Sequence, residues 1–138
     1  MTAEDRSREL AVVAACAATD RKARDVIALD VSERLVLTDV FVVSSGTTER
    51  QVHAIVDAVE EAMHHEGVKA VRREGITEGR WALLDYGEVV VHVQHEEERE
   101  FYALARLWKD CPAVELPEDA RGVDDAEEGE EQRPTSGA

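Results

Sequence analysis

A chain of 138 residues, 43% hydrophobic but only 4% aromatic, is long enough for one domain whose core is mostly Val, Leu and Ala. Its formal charge of −15 excludes unaided coating of nucleic-acid phosphates, which needs clustered Lys and Arg, and suits a basic protein partner of the kind ribosomes and chromatin supply. The charged opening MTAEDRSREL is no signal peptide, no run approaches the roughly 18 apolar residues of a membrane span, and Cys16 and Cys111 lack metal-site spacing, a pattern that fits reduced thiols in a cytoplasmic protein.

In chain order, Thr2 and Asp5 begin a predicted helix that runs to Arg24 and sets Leu10, Val13, Ala14 and Ala17 on one face. Val26 to Val31 and Val36 to Ser44 are β-rich, and the polar link Ser32, Glu33 and Arg34 predicts a hairpin between them. The clearest helix follows. Thr48 and Gln51 fit a capping box, Val52, Ile55, Val56, Val59 and Met63 form one apolar face, and Gly67 suits the end. VKAVRREG reads as a short strand, and GRWALLDYGEVVVHVQ as two strands about a turn at Tyr86 and Gly87. EEEREFYALARLW is a final helix with Phe101, Leu104, Ala105 and Trp108 on one face. The order α-β-β-α-β-β-β-α predicts an α/β sandwich with a mixed sheet of about five strands. Residues 1–116 form the domain. Residues 117–138, with eight acidic and two basic side chains, are expected to be a disordered acidic tail that aids solubility or docks on a basic partner.

Chemistry-bearing groups are sparse. His64 and His65 are adjacent at a helix end, and His92 and His95 point to opposite faces of a strand, so neither pair has metal-ligand spacing. Ser44, Ser45 and Gly46 lie between a strand and a helix start, where free N–H groups can cradle an anion or simply turn and cap the chain. A strand carrying two acids for Mg²⁺ and a nucleotide is missing, because valines occupy the needed places in Glu88-Val89-Val90-Val91-His92-Val93. Strand alternation puts Trp81, Leu83 and Asp85 on one face and Ala82, Leu84 and Tyr86 on the other. Patterning leaves two readings open for the Trp81 face: a core covered by helices on both sides, or an outward face with an aromatic anchor for a partner.

Several motifs occur together and in order: Thr38-Asp39, Ser45-Gly46, Arg50-Gln51-Val52, Glu74-Gly75, Trp81-x-Leu83-Leu84-Asp85-Tyr86-Gly87, Val90-Val91-His92, and Phe101-Tyr102 with Leu107-Trp108. In combination the stretch from Leu10 to Pro112 resembles the ribosomal silencing factor family, also called RsfS or iojap-like. The resemblance implies a nucleotidyltransferase-like α/β fold without enzymatic activity or cofactor. It also implies binding to the large ribosomal subunit through ribosomal protein number fourteen, and a steric block to joining of the subunits that lowers translation under nutrient limitation. Large-subunit assembly through the same contact is the alternative, and a homodimer is expected for the free protein. Carried over by position, the resemblance assigns binding to Trp81, Leu83, Asp85 and Tyr86, with Ser44, Arg50, Glu74, His92 and Tyr102 nearby. It leaves Val52, Ile55, Val56, Val59, Leu104 and Trp108 to the core, and Gly46, Gly75 and Gly87 to turn geometry.

Overall fold

The computed structural model describes residues 5–102 and 104–123, except for the side chains of residues 101–105. The elements are α1 (Asp5–Asp20), β1 (Arg24–Asp30), β2 (Val40–Gly46), α2 (Glu49–His65), β3 (Arg72–Glu74), β4 (Trp81–Asp85), β5 (Val89–His95), α3 (Glu96–Tyr102) and α4 (Leu104–Leu107). The expected α/β architecture is the one observed. Five strands form a mixed sheet in the order β1-β2-β5-β4-β3, parallel between β2 and β5 and antiparallel elsewhere.

α1 and α2 cover one face of the sheet. On α1, Leu10, Ala11, Ala14, Ala15, Ala17 and Ala18 are buried, and their small side chains let the helix lie close to its neighbours. α2 buries Val52, Ile55, Val56, Val59 and Met63, the predicted stripe. Thr48 caps it by accepting from the Gln51 N–H. The Gln51 side chain does not return to the Thr48 N–H as expected. It reaches one residue further back, accepting from the Thr47 N–H at 2.7 Å.

Two expected strands are shorter than their composition suggests. β2 begins at Val40, and Val36 and Leu37 lie in the preceding loop, 97% and 83% exposed. The cause is local. The Asp30 carboxylate accepts from the Ser32 N–H and hydroxyl, the Val31 carbonyl accepts from the Arg34 and Leu35 N–H groups, and this turn ends β1 before Val36 has a partner. β3 likewise shrinks to Arg72–Glu74, paired with Asp85, Leu84 and Leu83, and the positive φ of Gly75 turns the chain directly after it.

The expected domain boundary at residue 117 is corrected. After α4 the chain runs along the free edge of β1, with the Asp30 N–H donating to Pro112 and the Val114 N–H to Ala28. It then turns through Glu118–Ala120 and returns to α1. Val114, Leu116 and Ala120 join the main core. The Gly122 N–H donates to the Thr19 hydroxyl and the Val123 N–H to the Ala23 carbonyl. Gly122 has φ +87°, and a Cβ there would sit 2.8 Å from the Ala23 oxygen, so only glycine fits this approach. The acidic composition misleads because Glu118 and Asp119 face solvent while Ala120 between them and Arg121 is fully enclosed. The expected disorder of the rest of the tail, residues 124–138, lies outside the described residues.

The packed position of Ala120 is testable. Ala120→Leu should overfill its site and destabilise the fold by about 1–3 kcal/mol in urea unfolding, whereas Glu118→Gln should stay within about 0.5 kcal/mol of wild type. Equal midpoints for both variants would mean that this segment is detached from the domain.

Candidate functional site

The pleat of β4 separates two environments. Ala82 and Leu84 are fully buried beneath the helices, while Trp81, Leu83 and Asp85 alternate with them, half-buried on the opposite face. The antiparallel register with β5 sets Trp81 beside Gln94, Leu83 beside His92 and Asp85 beside Val90. The register with β3 sets Leu83 beside Glu74 and Asp85 beside Arg72. Residues directly opposite in a ladder share a face. One continuous surface therefore holds Trp81, Leu83, Asp85, Glu74 and Arg72, floored by His92. The β1–β2 half of the same face is occupied by a small second core of Leu29, Val31 and Cys111, against which Ile27, Leu35, Phe41 and Trp108 pack. One half of this face is therefore core, and the β4 half keeps accessible surface.

The Trp81 indole N–H donates to His92 Nδ1 at 3.2 Å. Indole nitrogen can only donate, so His92 Nδ1 is the acceptor and the neutral ring carries its proton on Nε2. That Nε2 is buried without a hydrogen-bond partner among the described residues. Burial pushes the His92 pKa down to about 4, and the imidazole is neutral at physiological pH. Aromatic contacts extend the chain across the sheet. Phe41 meets His92 edge-on at 5.0 Å between centroids, and Trp108 meets Phe41 edge-on at 5.2 Å.

Asp85 serves the turn as well as the face. Its Oδ1 accepts from the Gly87 N–H at 2.7 Å, and its Oδ2 lies 3.7 Å from the Arg72 guanidinium. Arg72 also pairs with Glu74 at 3.0 Å, and the three charges form a row along the sheet margin in which Arg72 and Glu74 are exposed and Asp85 is half-buried. Gly75, at φ +71°, follows β3 so closely packed on the Trp81 carbonyl that a Cβ would overlap it. Arg80, just before β4, donates to Glu97 and Glu98 at the start of α3 and stands 3.8 Å from Glu49 of α2.

The remaining predicted site residues are placed elsewhere. Tyr86 lies on the helix side, half-buried against the main core. Burial first, and then Glu60, push its hydroxyl pKa up to about 12, with Arg73 opposing. Ser44 is fully buried on the helix side, so its hydroxyl is not open to a surface partner. Arg50 is exposed on the first turn of α2. Tyr102 ends α3, and its side chain lies outside the described residues. Sequence reading missed Arg72, whose place beside Asp85 depends on the β3–β4 register, and the buried amide of Gln94 beside Trp81. The alternation of VRRE against WALLD held the signal for Arg72. None existed for Gln94.

The turn from β2 into α2, a candidate anion cradle, is filled from within the chain. Gln51 Oε1 accepts from the Thr47 N–H and hydroxyl, and its Nε2 donates to the Arg21 and Lys22 carbonyls at 3.0 Å. Among the described residues no group of three or more His, Cys, Asp and Glu side chains converges as metal ligands would.

Residues 4–138 match the family model described as ribosomal silencing factor during starvation. The chain is 40% identical over 110 residues to the ribosomal silencing factor RsfS of Halalkalibacterium halodurans, covering 80% of this chain and 94% of that one. It is 35% identical over 89 residues to mouse mitochondrial assembly of ribosomal large subunit protein 1, covering 62% of this chain and 39% of that one. A crystal structure of a protein from Chromobacterium violaceum superposes with a TM-score of 0.71 at 37% identity, covering 73% of this chain and 84% of that one.

Burial of His92 has a pH consequence of definite sign. Above the ordinary histidine pKa of 6.5 the ring is neutral in both folded and unfolded chains and contributes no pH dependence. As pH falls from 6.5 toward about 4, the unfolded chain takes up a proton that the folded chain refuses, and stability drops. The expected loss between pH 7 and pH 4.5 is about 2–3 kcal/mol from this residue. His92→Gln should remove that part of the loss, measured as the difference between the two proteins' urea-unfolding free energies at each pH. Parallel pH profiles would show that His92 titrates normally.

Proposed function

The chain belongs to the ribosomal silencing factor family, and on that premise we propose that it binds the large ribosomal subunit through ribosomal protein number fourteen and blocks joining of the small subunit. The observation that carries this reading is the accessible half of the outer sheet face, where Trp81 and Leu83 stand beside the charged row Asp85, Arg72 and Glu74. A half-buried aromatic anchor with an adjacent aliphatic group and a polar rim is the anatomy of a protein-binding hot spot. In this reading Trp81 and Leu83 supply the anchor and Asp85 and Glu74 the specificity. Arg50 and Tyr102 are candidates for the periphery, Tyr86 and Ser44 support from the helix side, and His92 is beneath the anchor.

The net charge of −15 suits a partner set in a basic surface, where complementary charge raises the association rate and fixes orientation. No chemistry is asked of the protein. A domain of about 100 residues is roughly 25–30 Å across, and its presence at the subunit interface excludes the partner subunit by volume. The alternative of an enzyme acting on nucleotides lacks support at both places where it needs residues: valines stand on β5 where paired acids would be required, and Gln51 fills the helix start. The reading carries with it a homodimer of the free protein and residence in the cytoplasm. Among the described residues no helix is long and apolar enough to cross a membrane.

A second reading, assembly of the large subunit through the same contact, is favoured by the 35% identity to the mouse mitochondrial protein whose name states that role. Timing separates the two. A silencing factor acts on finished subunits, whereas loss of an assembly factor leaves precursor particles in a strain without it.

The primary test is sedimentation of purified subunits. The protein should travel with free large subunits and diminish the joined-ribosome peak; an unchanged peak at saturating protein refutes the proposal. Trp81→Ala should weaken large-subunit binding by about 2–4 kcal/mol while the protein stays folded. Wild-type affinity in that variant would remove Trp81 from the contact.

A further inference from the structure

His92 is only 6% exposed, too enclosed to offer a partner much surface, yet it touches Trp81, the aromatic residue of the proposed docking face. Trp81 has two rotatable side-chain bonds, and the residue is half-buried. On the protein side it is held by the hydrogen bond from its indole N–H to His92 Nδ1 and by the tilted ring contact at 6.1 Å. The imidazole is in turn wedged by Phe41, and Phe41 by Trp108. Trp81, His92, Phe41 and Trp108 come from β4, β5, β2 and the residue after α4, so a single line of rings ties the docking face to the C-terminal helical segment. We infer that His92 is a positioning residue: it holds the Trp81 indole in its docking orientation through Nδ1, and the Phe41–Trp108 edge contacts hold His92. This rests on the reading of Trp81 as the anchor for a ribosomal protein.

A preset anchor binds more tightly than a mobile one because less side-chain freedom is lost on association. The acceptor is the specific requirement. An apolar side chain at position 92 fills the same space but takes the Nδ1 acceptor away from the indole N–H on the buried side, so the ring is released toward solvent to find water.

The test separates positioning from mere packing. In the full-length protein the indole N–H proton signals of Trp81 and Trp108 are assigned with a Trp108→Phe chain. The Trp81 signal should be shifted and protected from solvent exchange in wild type. In His92→Leu it should move and exchange rapidly, with the backbone spectrum otherwise kept, and large-subunit binding should fall about tenfold. His92→Asn, which restores an acceptor, should recover most of both. In a Trp81→Phe background, which has no indole N–H at that position, His92→Leu should produce no further loss of binding. Should the leucine chain unfold, His92→Val, suited to a strand, takes its place. An indole signal indifferent to position 92, wild-type affinity with a released indole, or independent losses in the Trp81→Phe background would each overturn the inference. Failure of the wild-type chain to bind is a different result: it refutes the ribosomal reading and the docking role of His92 with it, while the indole signal still reports the hydrogen bond.

Discussion

The parallel pairing of β2 with β5, seven residues in unbroken register from Val40 opposite Val89 to Gly46 opposite His95, is the constraint on which the rest of the molecule hangs. Parallel neighbours cannot be joined by a tight turn, so the chain between them must leave the sheet and come back. It does so through α2, which covers one face, and then through β3 and β4, which extend the sheet past β5. β5 is buried along its whole length and acts as a template for β4. Because side chains alternate with period two, a slip of one residue between β4 and β5 would send Trp81, Leu83 and Asp85 under the helices and bring Ala82 and Leu84 out. The placement of Trp81 on the face away from the helices is therefore a consequence of central register, not of anything local to Trp81.

Legibility in the sequence followed the same division between local and long-range causes. α2 was readable because its cap and apolar stripe are written within one turn and one face, and β4 because WALLD alternates cleanly. Alternation also placed Tyr86 opposite Trp81, and the structure keeps it there; only the resemblance had moved it to the docking face. Val36 and Leu37 misled because their β preference was real but their partner strand had ended at an Asp30 turn. Ala120 misled because burial of one small residue in an acidic run leaves no compositional trace. The Trp81–His92 hydrogen bond, and the displacement of Ser44 from any surface role, depend on which strands are neighbours and which face a helix covers. Neither is encoded at a spacing that a linear reading can find.

The turn into α2 shows how a common ligand position of an α/β frame is filled from within the chain. In this class of fold the ends of the central strands and the following helix start are where ligands gather. Here Gln51 satisfies Thr47 with its oxygen and two carbonyls after α1 with its amide nitrogen, all from within the chain. The Thr47 N–H that could meet an anion is taken by the Gln51 side-chain oxygen, while the Gln51 amide nitrogen ties α2 to the end of α1. Fold alone does not determine function, and this substitution of an internal bond for an external ligand is the kind of site-level detail that does.

The bond between Gly122 and Thr19 spans 103 positions, and with Val123 on Ala23 it fastens the chain beside the start of β1, after Pro112 and Val114 have lined the strand's edge. During synthesis β4 and β5 leave the ribosome before those bonds can form. A partner so distant in sequence forms only after a long loop has closed. In order of emergence, β4 and β5 precede the segment that lines β1 at Pro112 and Val114 and then returns to Thr19 and Ala23 through Gly122 and Val123.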